Sequence, residues 1–212
     1  MKIALVAPAG KIGTEIAREA LRKGHEVVGI VRTHRTAPAG LEAVNFKAVD
    51  IHDTAEFADA IKGSDVLASA YGAHGDQIDT VIDAAKSIVA AARAAHVNRV
   101  IVVGGAGSLE VSPGELLVNA PTFPTEYKPY ALAHHKAFQY LQTADDLDWT
   151  FFSPAAYIGP GQKAGDYNVA AKTLQKNAHG DSKIYYPDYA EAFIAEIELG
   201  KYIKNIMTAA YR

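Results

Sequence analysis

Apolar residues along this 212-residue chain fall into two alternating rhythms, short β-branched runs and longer stretches with the three-to-four spacing of an amphipathic helix. Lys2 to Val6 is the first short run. Ile12, Ile16, Ala17, Ala20 and Leu21 then recur at helical spacing, Gly24 ends that helix, and His25 to Val31 is a second strand-like run. A parallel pair joined by a right-handed helical crossover is the economical arrangement. The alternation continues with Val44 to Val49 as a third strand, Thr54 to Ile61 as a helix closed by Gly63, and Asp65 to Tyr71 as a fourth strand ending at Gly72. Gln77 to Ala95 carries Ile78, Val81, Ile82, Ala85, Ile88, Val89 and Ala92 on one helical face, and Asn98 to Val103 is a fifth strand. This predicts an α/β fold, a doubly wound parallel sheet of order 3-2-1-4-5-6 with helices on both faces and a ligand at the carboxyl ends of the strands.

The second half is less periodic. Ser108 to Tyr130 has no strong period and holds Pro113, Pro121, Pro124 and Pro129; so long an irregular segment in a compact domain is usually functional. Tyr130 to Thr143 reads as helix and Asp148 to Ser153 as a sixth strand stopped by Pro154. Tyr167 to Asp181 is polar, Lys183 to Tyr186 a short strand, Asp188 to Glu198 a helix and Asn205 to Tyr211 a last strand. Asp188 is expected to cap its helix, with Glu191 completing a box-like pattern. Residues 1–212 are expected to be one domain, with 156–212 a small C-terminal lobe that covers the substrate.

Composition narrows the function classes. A net charge of −3 with dispersed Lys and Arg argues against a nucleic-acid surface. No apolar stretch approaches the roughly 18 residues that span a bilayer. With no cysteine, disulfides, thiolate catalysis and Cys-ligated metal are excluded, and the reducing cytoplasm is the default compartment. His134 and His135 are adjacent and diverge by about 100° on a helix, so no metal site is expected. The expected partner is a small-molecule acceptor bound by a monomer or homodimer.

The turn after the first strand carries the sharpest signal. Gly10 and Gly13 have the spacing at which Gly10 would let a backbone approach phosphates and Gly13 would let helix and strand pack closely. Ala7 stands where the tight turn usually takes glycine, and Pro8 has no N–H to donate. Alone, G-x-x-G is equally a helix start with a packing glycine. Set in a complete β-α-β unit, it points to a dinucleotide pyrophosphate on the helix N-terminus.

The turn Ala7 to Gly13, "GIVR" at Gly29 to Arg32, "VVGGAGSLEV" at Val102 to Val111, "LDWTFFSPA" at Leu147 to Ala155 and "YPDYAEAFIAEIE" at Tyr186 to Glu198 together resemble the atypical short-chain dehydrogenase/reductase superfamily. Within it the resemblance is to the NAD(P)H-binding group described as NADH-flavin reductase-like or biliverdin reductase B-like, and it covers nearly the whole chain. It implies a Rossmann-like fold and a cofactor lined by Ala7, Ala9, Gly10, Lys11, Ile12 and Gly13 at the pyrophosphate. Asp50 and Ile51 would lie by the adenine, and Ala70, Tyr71 and Gly72 by the ribose. Gly104, Gly105, Lys136, Pro154 and Ala155 would lie towards the nicotinamide. The residue after the second strand chooses between cofactors, and here it is Arg32 with Arg35 close behind, so NADPH is favoured over NADH, against solvated loop charges. Asp50 also fits a helix cap.

Members with full dehydrogenase chemistry use a serine after the fifth strand and a Tyr-x-x-x-Lys pair on the next helix. Ser108 fits the serine and Lys136 the lysine, yet Leu132 occupies the tyrosine position. Tyr130 and His134 have the same spacing, but shifted by two residues and therefore about 200° around the helix. A ketone reduced to an alkoxide needs an acid at once, whereas hydride delivery to flavin N5 spreads charge over a ring. The sequence therefore favours an NAD(P)H-dependent reductase of flavin (FMN or riboflavin) or another planar acceptor such as a quinone or tetrapyrrole. Ser108 and Lys136 are its catalytic candidates, and Tyr127, Tyr130 and His134 its acceptor-side candidates, each of the last three equally an ordinary half-buried side chain. The alternative is a non-catalytic NAD(P)-sensing regulator resembling the nitrogen-metabolite-repressor-like branch.

Overall fold

The computed structural model describes residues 1–33, 36–72 and 77–212. Its first half follows the βα rhythm of the sequence: β1 (Lys2–Val6), α1 (Lys11–Arg22), β2 (Glu26–Val31), β3 (Asn45–Ala48), α2 (Thr54–Ile61), β4 (Val66–Ser69), α3 (Thr80–Ala95) and β5 (Arg99–Val103). A short hairpin follows, β6 (Glu110–Ser112) with β7 (Glu115–Leu116), and then α4 (Lys128–Leu141) and β8 (Asp148–Pro154). The rest comprises β9 (Tyr157–Gly159), β10 (Tyr167–Ala171), β11 (Lys183–Tyr185), α5 (Tyr186–Leu199) and β12 (Asn205–Tyr211).

The main sheet has the order β10-β12-β8-β5-β4-β1-β2-β3, parallel except for the antiparallel β10 edge. The expected 3-2-1-4-5-6 series is present, with β8 as its sixth strand. Two strands extend it. Asn205–Tyr211 lies in this sheet, parallel to β8, and the polar stretch after Tyr167 begins with the edge strand β10. β9 and β11 pair separately as a two-stranded ribbon.

Successive strand side chains point to opposite faces, and each face has its own core. Ala4, Val28, Ile30, Leu67, Val100, Trp149 and Phe151 meet α2, α3 and α4 through Phe57, Ile61, Ile88 and Phe138. Ile3, Leu5, Val27, Ala68, Ile101 and Phe152 meet α1 and α5 through Ile16, Tyr189, Phe193 and Ile197. Phe57, Phe152 and Phe193 are fully buried, each contributing about 2–3 kcal/mol of transfer free energy. The Tyr189 hydroxyl, buried in the second core, donates to the Phe152 carbonyl at 2.5 Å.

Two caps differ from expectation. Asp53, not Asp50, caps α2, its carboxylate accepting from the Ala55 and Glu56 amides. Asp188 does not cap α5: β11 runs straight into that helix with Tyr185 at the cap position. Asp188 lies in the first turn, fully buried, where it accepts from the Ala164 and Gly165 amides and the Tyr211 hydroxyl. It ties the chain after β9 to the end of β12.

Candidate cofactor cleft and its flanking helix

All the parallel strands end on one edge, and the glycine turn closes it at β1. Ala7 adopts the left-handed conformation, φ +59°, that the missing glycine would have supplied, at a cost of about 1 kcal/mol. Its N–H donates to the Ile30 carbonyl, and its own carbonyl accepts from Gly10. Pro8 is accommodated by Gly29, since a Cβ there would lie 3.0 Å from the proline ring and 2.9 Å from Val44. The "GIVR" segment thus supports the turn from beneath.

Gly10 precedes α1 with extended backbone and no side-chain cap, so the first-turn amides of Lys11, Ile12 and Gly13 have no carbonyl within their helix. A Cβ on Gly10 would meet only the Ala7 carbonyl, at 3.5 Å, and one on Gly72 would meet nothing within 4 Å. Among the described residues, neither glycine is crowded and the first-turn amides of α1 have no hydrogen-bond partner. The residues present fit a dinucleotide pyrophosphate.

Around this turn, Arg32 is exposed just past β2, and Arg35 lies outside the described residues. Asp50 is exposed, with its carboxylate accepting from the His52 amide at 3.0 Å, and Ile51 is buried. Beyond β4, the Ala70 amide donates to Val6 and the Tyr71 amide to the Ser69 hydroxyl, while the Tyr71 ring packs on the α3 and α4 core. Pro154 and Ala155 are buried at the end of β8.

The glycines after β5 set the position of α4. A Cβ on Gly104 would lie 2.2 Å from the Phe151 ring, one on Gly105 3.0 Å from the His134 Cβ, and one on Gly107 2.7 Å from the Ala131 Cβ. The helix therefore lies directly on the chain leaving β5, with Ala131, His134, His135 and Phe138 inward. This rotational setting corrects the expectation for Lys136. Lys136 and Leu132 share the outer, exposed side of α4, about 200° from His134, so the structure does not bring Lys136 to Ser108 or to the cleft. The Tyr130–His134 register lies about 200° from that side, and His134 borders a space with Ser69 and Tyr71 at the end of β4. Tyr130 is half-buried, and Tyr127 is exposed just before α4.

His134 and Ala137 border a narrow space with Ser69, Tyr71 and Phe151. Burial pushes the His134 imidazole down to about 4, so it is neutral near pH 7 and offers one donor and one acceptor. Ser108 is buried in the turn Ala106–Ser108, with its Oγ 3.2 Å from His135 Nδ1. Sequence reasoning missed His135, which was considered only as a neighbour of His134. The apolar series Ala131, Phe138 and Leu141 held the signal, since it sets the inward side of the helix.

The lowered His134 value has a consequence for stability. Below its ordinary 6.5 the unfolded chain takes up a proton that the folded chain refuses until about 4, so stability falls as pH drops through that window. In urea unfolding between pH 7 and 4, His134→Gln is expected to lose less stability than the wild type. Equal pH slopes would contradict the buried neutral imidazole.

Comparison with known proteins gives a consistent pattern. The NAD(P)H-binding family pattern matches residues 9–198. The Bacillus subtilis protein YwnB, of unassigned function, is 37% identical over 201 residues, spanning 93% of this chain and 92% of its own. Among solved structures, a Burkholderia pseudomallei protein provisionally named as exported is 48% identical with a TM-score of 0.93, covering 100% of both chains. A Streptococcus pneumoniae protein provisionally named an NADH-flavin reductase is 33% identical with a TM-score of 0.90, again over 100% of both. A Bacteroides thetaiotaomicron protein provisionally named an epimerase is 32% identical with a TM-score of 0.89, covering 99% of this chain and 96% of its own. Among the described residues, no helix is long and apolar enough to cross a membrane.

Proposed function

From the premise that the chain belongs to the NAD(P)H-binding family, in the atypical short-chain dehydrogenase/reductase group, we propose that it is an NADPH-dependent reductase of a planar conjugated acceptor, with flavin the first candidate. The observation that supports this reading is the setting of α4, in which His134 is half-buried beside Ser69 and Tyr71 while Leu132 and Lys136 are exposed. A helix so placed has no Tyr-x-x-x-Lys pair to protonate an alkoxide. The resemblance in sequence and fold to a protein provisionally named an NADH-flavin reductase supports the same choice.

A bound reduced nicotinamide supplies hydride. The chain's own residues would hold and shield it: the Lys11, Ile12 and Gly13 amides would bind the pyrophosphate, and Asp50 would accept from the adenine amine. Pro154 and Ala155 form an apolar wall that excludes water. His134, held neutral, donates one N–H on the acceptor side without the cost of moving a charge. Positioning and exclusion of water supply most of the acceleration in this arrangement. Ser108 acts through His135, fixing its ring.

Arg32 selects the cofactor, because a guanidinium can hold a 2′-phosphate on two oxygens. Arg32→Glu is expected to weaken NADPH binding at least tenfold while changing NADH affinity far less, read by calorimetry with each cofactor. An unchanged ratio of the two affinities would remove Arg32 from the recognition. The test of the reaction is anaerobic mixing of the protein with NADPH and excess FMN, following loss of reduced-nicotinamide absorbance. Oxidation well above the protein-free blank is expected, whereas tight binding without oxidation would favour the sensing regulator.

A further inference from the structure

The two edges of the main sheet are finished differently. β3, at one edge, carries Lys47 within the strand, its ammonium donating to the Ala60 carbonyl at 2.8 Å. A charge held on an edge strand in this way is a common device against strand-to-strand association. β10, at the other edge, consists of Tyr167, Asn168, Val169, Ala170 and Ala171, with no charge and no proline, and its register with β12 runs without a bulge. Among the described residues, no strand pairs with its outer side, and Val169 at its centre is 40% exposed.

The bonds to β12 show which backbone groups face outwards. The Arg212 amide donates to the Asp166 carbonyl and the Lys172 amide to the Ile206 carbonyl, each at 3.3 Å. The even-numbered residues from 166 to 172 therefore turn their N–H and C=O groups towards β12. In an antiparallel pair these alternate with residues whose groups point the other way. The outward groups belong to Tyr167, Val169 and Ala171. The Ala171 carbonyl accepts from the Thr173 amide and keeps a second lone pair.

A second copy of the chain matches this edge in one register. Placed antiparallel about a two-fold axis at Val169, it sets Val169 against its own counterpart, Tyr167 against Ala171, and Asp166 against Lys172, the last two contacts occurring twice. All the residues with outward backbone groups then face one another. Asp166 and Lys172 share the face of the sheet on which Ile206 packs, and they sit opposite each other at a pairing position where side chains come closest. Their side chains are 70% and 60% exposed. Within the chain Asp166 is paired with Arg212 and Lys172 with Glu110, each at 3.2 Å. Bringing the copies together completes a row of alternating charge: Glu110 and Lys172 of one copy, then Asp166 and Arg212 of the other. Sliding by two residues would set Asp166 against Ala170 or Leu174 and lose that row. Sliding by one would set outward groups against inward ones.

We propose that the β10 edge is the interface of a homodimer, in which two copies pair antiparallel about Val169 and join their sheets into one. The two Val169 residues exchange backbone hydrogen bonds and cover each other on the α5 side, where Ala209 beneath them belongs to the core. The Asp166–Lys172 contacts fix the register, and they disfavour a strand with a different charge pattern. The proposal does not depend on the reductase reading, because β12, β8, β5 and β4 separate this edge from β1 and its cofactor turn.

Sedimentation velocity of the full-length protein over a wide range of concentration is expected to show a reversible monomer–dimer equilibrium. Val169→Pro removes only an outward N–H, a change that edge strands tolerate. Thermal unfolding of its dilute monomer should stay close to the wild type, while the dimer dissociation constant rises about tenfold or more, as the loss of the bonds at the axis implies. Asp166→Lys and Lys172→Asp each place like charges opposite one another at both ends of the interface, so each variant alone should be monomeric where the wild type is dimeric. Mixed in equal amounts, they join unlike charges at both ends, and a heterodimer should form about tenfold more tightly than either variant associates with itself. Damage to the fold of either variant would not give that rescue. A wild type that stays monomeric throughout would overturn the proposal. So would a dimer that Val169→Pro leaves intact, or charge variants that associate singly as the wild type does or stay apart when mixed.

Discussion

Gly13→Ala is expected to damage both folding and cofactor binding. The new Cβ would lie 2.1 Å from the Ala7 carbonyl oxygen, 3.0 Å from its carbon and 3.2 Å from the Pro8 Cα. All three are backbone atoms, so no side-chain rotation relieves the contact. The turn cannot retreat easily either, because the Ala7 N–H is bonded to Ile30 and its carbonyl to Gly10. Pushing α1 away from β1 should cost about 1–3 kcal/mol, the usual range for overpacking. For a chain of this size that is a fall in Tm of roughly 2–4 °C per kcal/mol. The same displacement moves the Lys11, Ile12 and Gly13 amides, so NADPH affinity should drop at least tenfold. Gly10→Ala separates the two effects. Its Cβ makes only an ordinary contact, so Tm should stay near the wild type while NADPH affinity falls, because the methyl would occupy the space where the phosphates approach. Wild-type affinity in Gly10→Ala would mean that the pyrophosphate does not lie on this turn.

This contrast shows what the spacing of residues can and cannot reveal. The Gly10–Gly13 pair was legible because backbone geometry after a parallel strand is the same in any such unit, and the helix Thr54–Ile61 and strand Asn205–Tyr211 lie where their apolar periods put them. β10 was not legible. As an edge strand with half-exposed residues on both sides, it has no alternation to detect, and it is held by backbone bonds to β12 rather than by burial. Asp188 was misplaced for a related reason. A buried carboxylate in the first turn and a capping one look alike until the path of the preceding chain is known. The largest difference concerns α4, where Ser108 and Lys136 were both catalytic candidates and the helix rotation leaves Lys136 on the exposed side. That rotation is fixed by Gly104, Gly105 and Gly107 and by the packing of Phe138 on Phe151 and Trp149, all contacts between distant parts of the chain.

The largest loss of stability is expected from Glu196→Ala, far from the cofactor turn. Glu196 is buried in α5, and one carboxylate oxygen accepts from Arg99 at 3.1 Å and from the Tyr202 amide at 2.9 Å, the other from the Lys201 amide at 3.1 Å. It therefore neutralises a mostly buried guanidinium and satisfies two amides beyond the helix end, where Gly200 turns the chain with φ +60°. Burial already works against the charged form of Arg99, with Glu196 the main opposing influence. Truncation to alanine leaves the guanidinium buried without its counter-charge, a situation that costs about 3–5 kcal/mol. Set against a typical total of roughly 5–15 kcal/mol, the urea midpoint should fall far. Glu196→Gln keeps the shape and an acceptor for the amides, so it should lose less. Arg99→Met combined with Glu196→Ala should recover part of the loss of Glu196→Ala, because the unpaired charge is gone while the turn amides stay unsatisfied. If the double variant is no more stable than Glu196→Ala, the ion pair is not the source of the effect, and the turn amides are. In either case the folded fraction should bind NADPH normally, since Arg99 begins β5 and the cleft lies past its other end at Val103.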